Sequence, residues 1–492
     1  MTPAKYIAFD LGAESGRALV GIFDGHILHI EEIHRFSNNP LKIQGHLHWD
    51  VTALFKEIKT GLKLAVQQGH ADLRSIGLDT WGVDFGFAGN NGTLSGLPYC
   101  YRDERTSQIA EKVYEKIACR ELYNLTGIQF LQFNSIFQLY SALLSGEPAL
   151  KFAGSLLFMP DLFNFLLTGV KKNEYTIAST SQLLNAENRI YDHRIFSALG
   201  LPLEITLPIV MPGTVIGKLL PEICAETGLK NPDVVAVGCH DTASAIAAIP
   251  AQKNNWAYLS SGTWSIIGVE TKKPIINEQS LQNNFSNEGG VFGTIRFLKN
   301  VSGLWLLQQI RKCLRQQHGR AYEYDELVRL ALESKAFLSI LNPDDSLFLN
   351  PPDMLEAIRT YCRKTSQKAP QTPGEFTRCI LESLALKYKS VLAEIDAVTG
   401  VPVELLHIVG GGSKNDLLNQ FTADACGIPV VAGPAEATAI GNLLVQVMIH
   451  NKIDSLTAGR EIIVNSFPLK TYQPVQTSKW DDISRQYQSL YL

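Results

Sequence analysis

Long hydrophobic runs are missing from this chain of 492 residues. None approaches the ~18 consecutive apolar residues of a bilayer-spanning helix, which excludes a helical membrane anchor. Charge of one sign is not in excess either: 44 Lys+Arg stand against 48 Asp+Glu, without a basic block or stripe. That removes the electrostatic footprint expected of a nucleic-acid binder. The eight cysteines, at 100, 119, 224, 239, 313, 362, 379 and 426, include no CxxC pair and have no His at ligand spacing. Their scatter argues against structural zinc and for a reducing compartment. The opening MTPAKYIAFDLG has no long apolar core, so it does not read as a signal peptide, and the expected location is cytoplasmic. Two nucleotide signatures are also missing: GxxxxGK[ST], and a GxGxxG that follows a strand and opens a helix. At roughly 100 to 200 residues per domain, the length accommodates two or three domains with real cores.

What is present centres on VVAVGCHDTASAIAA, Val234 to Ala248. The β-branched run of Val234, Val235 and Val237 predicts a buried strand, and Thr242 onward a small-residue helix, so Asp241 falls at a strand-to-helix switch. Ligands of open α/β sheets bind beyond such strand ends. Two readings are open there, a helix N-cap and a general base.

Upstream, Tyr6–Asp10 and Ala18–Phe23 predict two strands around the small turn Gly12-Ala13-Glu14-Ser15-Gly16-Arg17. The turn is either an ordinary hairpin or a cradle of N–H groups for a phosphate, with Asp10 placed for a divalent cation. An amphipathic helix is expected from about Val51 to Gly69 with Asp50 as its cap. Strand Ser75–Asp79 runs into Thr80-Trp81-Gly82-Val83-Asp84-Phe85, whose aromatic, glycine and carboxylate suit a sugar as well as they suit a half-buried strand end. The loop Tyr101–Thr106 is charged, fitting a cleft wall or solvated surface, and residues 107–200 read as a mostly helical insertion.

The polar, Pro-containing stretch after Ile249 marks a boundary. Beyond it Trp256–Gly268 repeats the opening design of strand, Ser/Gly/Thr turn and strand. Thr372-Pro373-Gly374-Glu375 predicts a capping box that opens a helix to about Val398, stopped by Gly400. Leu405–Val409 leads into Gly410-Gly411-Gly412, where a ligand can approach backbone closely. The weak internal repeat predicts two similar α/β domains facing each other across a cleft. Expected boundaries are 1–249 and 250–460, with a tail at 461–492.

Taken in order, DLGAESGR, SIGLDTWGVDF, LPYCYRDERT, GIQF, MPDLFNFLLTG, HDTASA, YLSSGTWS, LKN with GLWLLQ, LHIVGGGSKN and ADACGI resemble the FGGY family of carbohydrate kinases from Tyr6 to about Gln446. The resemblance implies two ribonuclease-H-like domains of the actin-like ATPase fold. It implies ATP-dependent phosphorylation of the 1-hydroxyl of L-rhamnulose, as in L-rhamnose degradation, with L-fuculose or xylulose as the alternative ketose. It places Asp241 as proton acceptor and Ala13, Glu14, Ser15, Gly16 and Arg17 around the ATP phosphates. Thr263, Gln308 and Gly411 become further ATP contacts, and Gly82, His240, Asp241, Thr242 and Asn300 sugar contacts. Trp81 and Asp84 are added from the reading of their turn, and Asp10 is assigned to Mg2+ through water. Glu14 departs from the small or hydroxyl residue usual in relatives; next to a triphosphate it would be repelled by more than roughly 1 kcal/mol, so it is expected to face outward. Cys362 and Cys379 match a pair of cysteines found in some members. An actin-like ATPase without sugar chemistry, and an inactive sugar sensor, are the competing classes. Oligomeric state is not set by the sequence, and a monomer is compatible with it.

Overall fold

The apolar run Tyr6–Leu11 becomes the centre of a sheet in the computed structural model, which describes residues 3–490. Two units are distinguished: Met1–Gln252 with Glu270–Phe297 and Ala437–Ser466, and Lys253–Val269 with Leu298–Glu436 and Phe467–Leu492.

In the first unit β1 (Ala4–Leu11), β2 (Ser15–Phe23) and β3 (Leu28–Ser37) form an antiparallel meander. β4 (Ser75–Thr80) joins β1 in parallel, β6 (Asp233–Ala236) joins β4 in parallel, and β5 (Thr214–Lys218) closes the edge antiparallel to β6. The order is β5-β6-β4-β1-β2-β3. Alternation along the strands assigns the two faces. Ile7, Phe9, Leu11, Ile76 and Leu78 pack with Leu54, Ile58 and Leu62 of helix Val51–Gln67, which Asp50 caps by accepting from Ala53 N. The opposite face carries Ser75, Gly77 and Asp79, and meets helix Ala437–Asn451 through polar side chains. Gln446 donates to Ile7 O at 3.1 Å and to Asn442 Oδ1 at 2.8 Å, while Ser75 Oγ donates to Gln446 Oε1 at 2.8 Å. Gly77 is required beneath them, since a Cβ there would collide with Asn442 Oδ1 and Gln446 Nε2. Residues 107–200 contain the helices Ile109–Tyr114, Cys119–Thr126, Ser135–Leu144, Met159–Thr168 and His193–Leu199.

The second unit repeats the pairing pattern. β7 (Trp256–Ser261) is antiparallel to β8 (Trp264–Thr271) and parallel to β9 (Leu405–Val409); β10 (Val430–Ala432) is parallel to β9, and β11 (Lys470–Tyr472) is antiparallel to β10. Run for run this is β2-β1-β4-β6-β5 again, which is the duplication expected from the sequence. Helix Pro373–Thr399 has the Thr372/Glu375 capping box, buries Phe376, Ile380, Leu384, Tyr388 and Leu392, and stops at Gly400 with φ +70°. Cys362 and Cys379, matched above to a cysteine pair, are free buried thiols, and Ser339 Oγ donates to Cys379 Sγ at 3.2 Å. Among the described residues no helix is long and apolar enough to cross a membrane.

Helix Asp241–Ala247 is held against helix Ala437–Asn451 at Gly441, where a Cβ would overlap the Ser244 carbonyl. Gly441→Ala should therefore destabilise the protein by about 1–3 kcal/mol although alanine is the better helix former, because backbone cannot yield as a side-chain tip can. Thermal unfolding of the variant checks this; an unchanged or raised midpoint would show that the crossing is looser than described.

Candidate active site

Register places the charged residues in a row. Asp10 on β1 pairs with Arg17 on β2 and with Asp79 on β4, so the three side chains share one face. Arg17 Nη2 donates to Asp10 Oδ2 at 2.7 Å, and Asn442 Nδ2 donates to Asp79 Oδ2 at 2.6 Å, whereas the buried Asp79 Oδ1 accepts no hydrogen bond among the described residues. Burial raises the pKa of Asp10, with Arg17 opposing and Asp241 adding repulsion. Burial likewise holds Asp79 well above the ordinary carboxylate value, and Asp10 and Asp241 push it further. Asp10 and Asp79 thus set two buried carboxylates side by side at the carboxyl ends of parallel strands, near enough to Asp241 for its charge to act on both. Among the described residues no group of three or more His, Cys, Asp or Glu side chains is placed to hold a metal ion.

β6 delivers the next pair. Thr80 N donates to Cys239 O at 2.9 Å and Thr80 bridges to His240, extending the parallel ladder past the strand end. Asp241 is the first residue of the helix Asp241–Ala247, and His240 holds the cap position without a side-chain capping bond. The N-cap reading of Asp241 is thus corrected: its carboxylate accepts from the adjacent Thr242, N at 2.5 Å and Oγ1 at 2.9 Å, both on Oδ1. Oδ2 accepts no protein hydrogen bond among the described residues. The side chain is about a third exposed.

The turn after β4 also differs from expectation. Trp81 offers no open stacking face, being 4% exposed with its ring 4.2 Å from that of Trp49. Asp84 is fully buried and accepts from Trp49 Nε1 at 2.6 Å, Trp81 Nε1 at 2.9 Å, Tyr101 N at 3.0 Å and Gln138 Nε2 at 2.8 Å. Both residues build the turn from within, because indole N–H groups buried this deeply need an acceptor. Val83 takes φ +65°, rare for a β-branched residue, held by its N donating to Thr180 Oγ1 and its O accepting from Ser135 Oγ. Gly82 lies against His240: a Cβ on it would be 3.2 Å from His240 Nε2. Glu14 is exposed, 3.8 Å from Arg102. Gly12 O accepts from Asn38 Nδ2, and Glu14 O from Asn38 N, which fixes the backbone of the Ala13–Arg17 turn.

The second unit gathers its own set. Gln308 Nε2 donates to Thr263 Oγ1 at 3.4 Å, and Leu304 N donates to Gly262 O at 2.9 Å. Gly410 takes φ +83°, and a Cβ on Gly412 would collide with the Ser261 side chain, so the triple glycine lies directly against the β7–β8 turn. Gly411 faces open space. The glycines form a short 3-10 turn, and the following helix, Asp416–Cys426, starts only after Asn415, whose side chain caps it. Asn300 lies in this unit on the strand Ile295–Ser302.

Trp49, Gln138, Arg296, Glu288 and Asn442 escaped the sequence reading. Each reaches the site from a distant element, and no local spacing marks it.

Residues 5–248 match the model of the FGGY family of carbohydrate kinases, N-terminal domain, and residues 257–450 that of its C-terminal domain. A rhamnulokinase of Bacteroides thetaiotaomicron is 48% identical over 477 residues, 97% of each chain. One of Oceanobacillus iheyensis is 41% identical over 469 residues, 95% of this chain and 98% of that protein. In fold the chain is similar to xylulose kinase from Rhodospirillum rubrum, with TM-score 0.81 at 17% identity over 99% of this chain and 98% of that one. Glycerol kinase of Plasmodium falciparum with ADP gives TM-score 0.78 at 13% identity over 99% and 98%.

Asp84 generates a prediction about pH. Burial, outweighing its four donors, lifts its pKa from 3.8 to about 6. Between those values the folded protein keeps a proton that the unfolded chain has released, so this group's contribution to stability falls as pH rises through about 4 to 6. The melting temperature of the wild type relative to Asp84→Asn should accordingly improve from pH 7 to pH 5. A difference that stays flat would mean that Asp84 does not titrate in that window.

Proposed function

The chain belongs to the FGGY family of carbohydrate kinases, and on that premise we propose that it transfers the γ-phosphoryl group of ATP to the 1-hydroxyl of L-rhamnulose. The ketose rests on the rhamnulokinases that match nearly the whole chain. The chemistry rests on one observation above all, the asymmetry of Asp241: Oδ1 is occupied by Thr242 and Oδ2 is left to take a proton.

In the transfer, Asp241 Oδ2 accepts the proton of the sugar O1–H while O1 forms its bond to the γ-phosphorus. The bond from that phosphorus to the β,γ-bridging oxygen breaks, and ADP leaves with the electron pair. Phosphoryl transfer asks a protein mainly for positioning and charge stabilisation. Gly82, His240, Thr242 and Asn300 are assigned to hold the sugar, with Trp81 and Asp84 stiffening the turn beneath Gly82. The backbone of Ala13 to Arg17, together with Thr263, Gln308 and Gly411, is assigned to ATP, with Glu14 turned to solvent. Asp10 would hold Mg2+ through water, the ion supplying charge neutralisation at the phosphates when bound.

Asp241→Asn tests the base directly. The amide oxygen still accepts from Thr242, so the melting temperature should stay, while loss of proton acceptance should lower kcat by at least about 10²-fold. A folded variant with most of its activity would remove Asp241 from that role. In a panel assay of ADP release, L-rhamnulose should give the highest kcat/KM; equal or better turnover of L-fuculose or xylulose would transfer the assignment to that sugar.

For the metal, Asp10→Asn should raise the Mg2+ concentration needed for half-maximal rate, with partial recovery at high Mg2+. An unchanged magnesium dependence would sink the Asp10 assignment.

A further inference from the structure

Behind His240, on the side away from Asp241, lies a charged pair that the transfer just described does not use. Arg296 is fully buried; its Nε donates to Gly289 O at 2.9 Å, and its Nη2 lies 3.0 Å from Glu288 Oε2 and donates to His240 Nδ1 at 3.0 Å. Ser286 Oγ donates to Glu288 Oε1 at 3.0 Å. Burial alone would raise the pKa of Glu288, but its neighbours outweigh it, the Arg296 guanidinium first, and hold the carboxyl low. The pair is therefore ionised.

A guanidinium has only donors. The nitrogen it donates to must present a lone pair, so Nδ1 is bare and the imidazole proton sits on Nε2. Glu288 Oε2, at 3.4 Å from Nδ1, is the competing partner that would favour the other tautomer, and it is the more distant of the two. The ring is also fixed from its backbone, His240 N donating to Thr176 Oγ1 at 3.1 Å. Nε2, the nitrogen that then carries the proton, is on the Asp241 side of the ring, 3.4 Å from Oδ1 and beside Gly82.

We propose that Arg296, with Glu288 behind it, is a positioning residue for the transfer: it locks His240 in the Nε2–H tautomer, so that the ring presents a donor, and not a bare nitrogen, on the side where Asp241 takes the hydroxyl proton. The inference rests on the assignment of Asp241 as base, and its tests separate the two. In full-length protein labelled with 15N-histidine, with His240 assigned by its loss in His240→Gln, the proton should be found on Nε2. A proton on Nδ1 in the wild type overturns the proposal without any variant having to fold. In Arg296→Met the tautomer should become mixed and kcat should fall at least about tenfold, with KM for ATP changed less than twofold. Arg296→Lys, which keeps a cationic N–H donor, should recover part of kcat. A folded Arg296→Met with wild-type kcat overturns the proposal as well. A fully active Asp241→Asn would instead sink the base while the tautomer measurement still stood.

Discussion

Two helices that touch backbone to backbone set the position of the Asp241 carboxylate. Helix Asp241–Ala247 has seven residues, too few to be stable alone, and Ala243, Ala245 and Ala247 supply little side-chain area to anchor it. What holds it is proximity. Gly441 lets helix Ala437–Asn451 come against the Ser244 carbonyl, and Ser244 Oγ donates to Gly238 O at 2.7 Å, tying the helix back to the strand it left. The same long helix sends Asn442 to Asp79 and Gln446 to Ile7, so one element fixes both the carboxylate row and the helix that begins with Asp241.

That placement costs free energy. Burial raises the proton affinity of Asp10 and of Asp79, the charge of Asp241 adds to both and that of Asp10 to Asp79, and the hydrogen-bonded ion pair on the row is that of Arg17 with Asp10. Strongly perturbed groups commonly gather at working sites, and Asp10 and Asp79 are such groups.

Fold and site differ in how far the sequence revealed them. Hairpin, crossover and helix follow local rules: alternating apolar residues in β1, the small turn at Gly12–Gly16, the Thr372/Glu375 capping box and the stop at Gly400 were all legible, and so was the duplication. Asp241 was legible as a strand-to-helix residue, but one position decides between cap and first helical residue, and sequence does not resolve boundaries that finely. Trp81 and Asp84 looked like a sugar platform because composition reports chemistry and not direction. The partners that turn them inward, Trp49 and Gln138, lie 35 and 54 residues from Asp84. Gly441 and Gly77 are single glycines whose need appears only when two elements meet.

The Glu288–Arg296 pair completes the picture of a site assembled at the expense of stability. A buried ion pair contributes little net stability, since desolvation offsets attraction, and an apolar replacement of the same volume is often as good. Packing therefore does not account for charge at this position. A methionine would fill the space, but it would offer His240 Nδ1 no donor, and either ring nitrogen could then carry the proton. A guanidinium admits one answer. The proton on His240 is thus set from within, by contacts that run from the ring beside Asp241 through Arg296 to Glu288, around a charge that water does not reach.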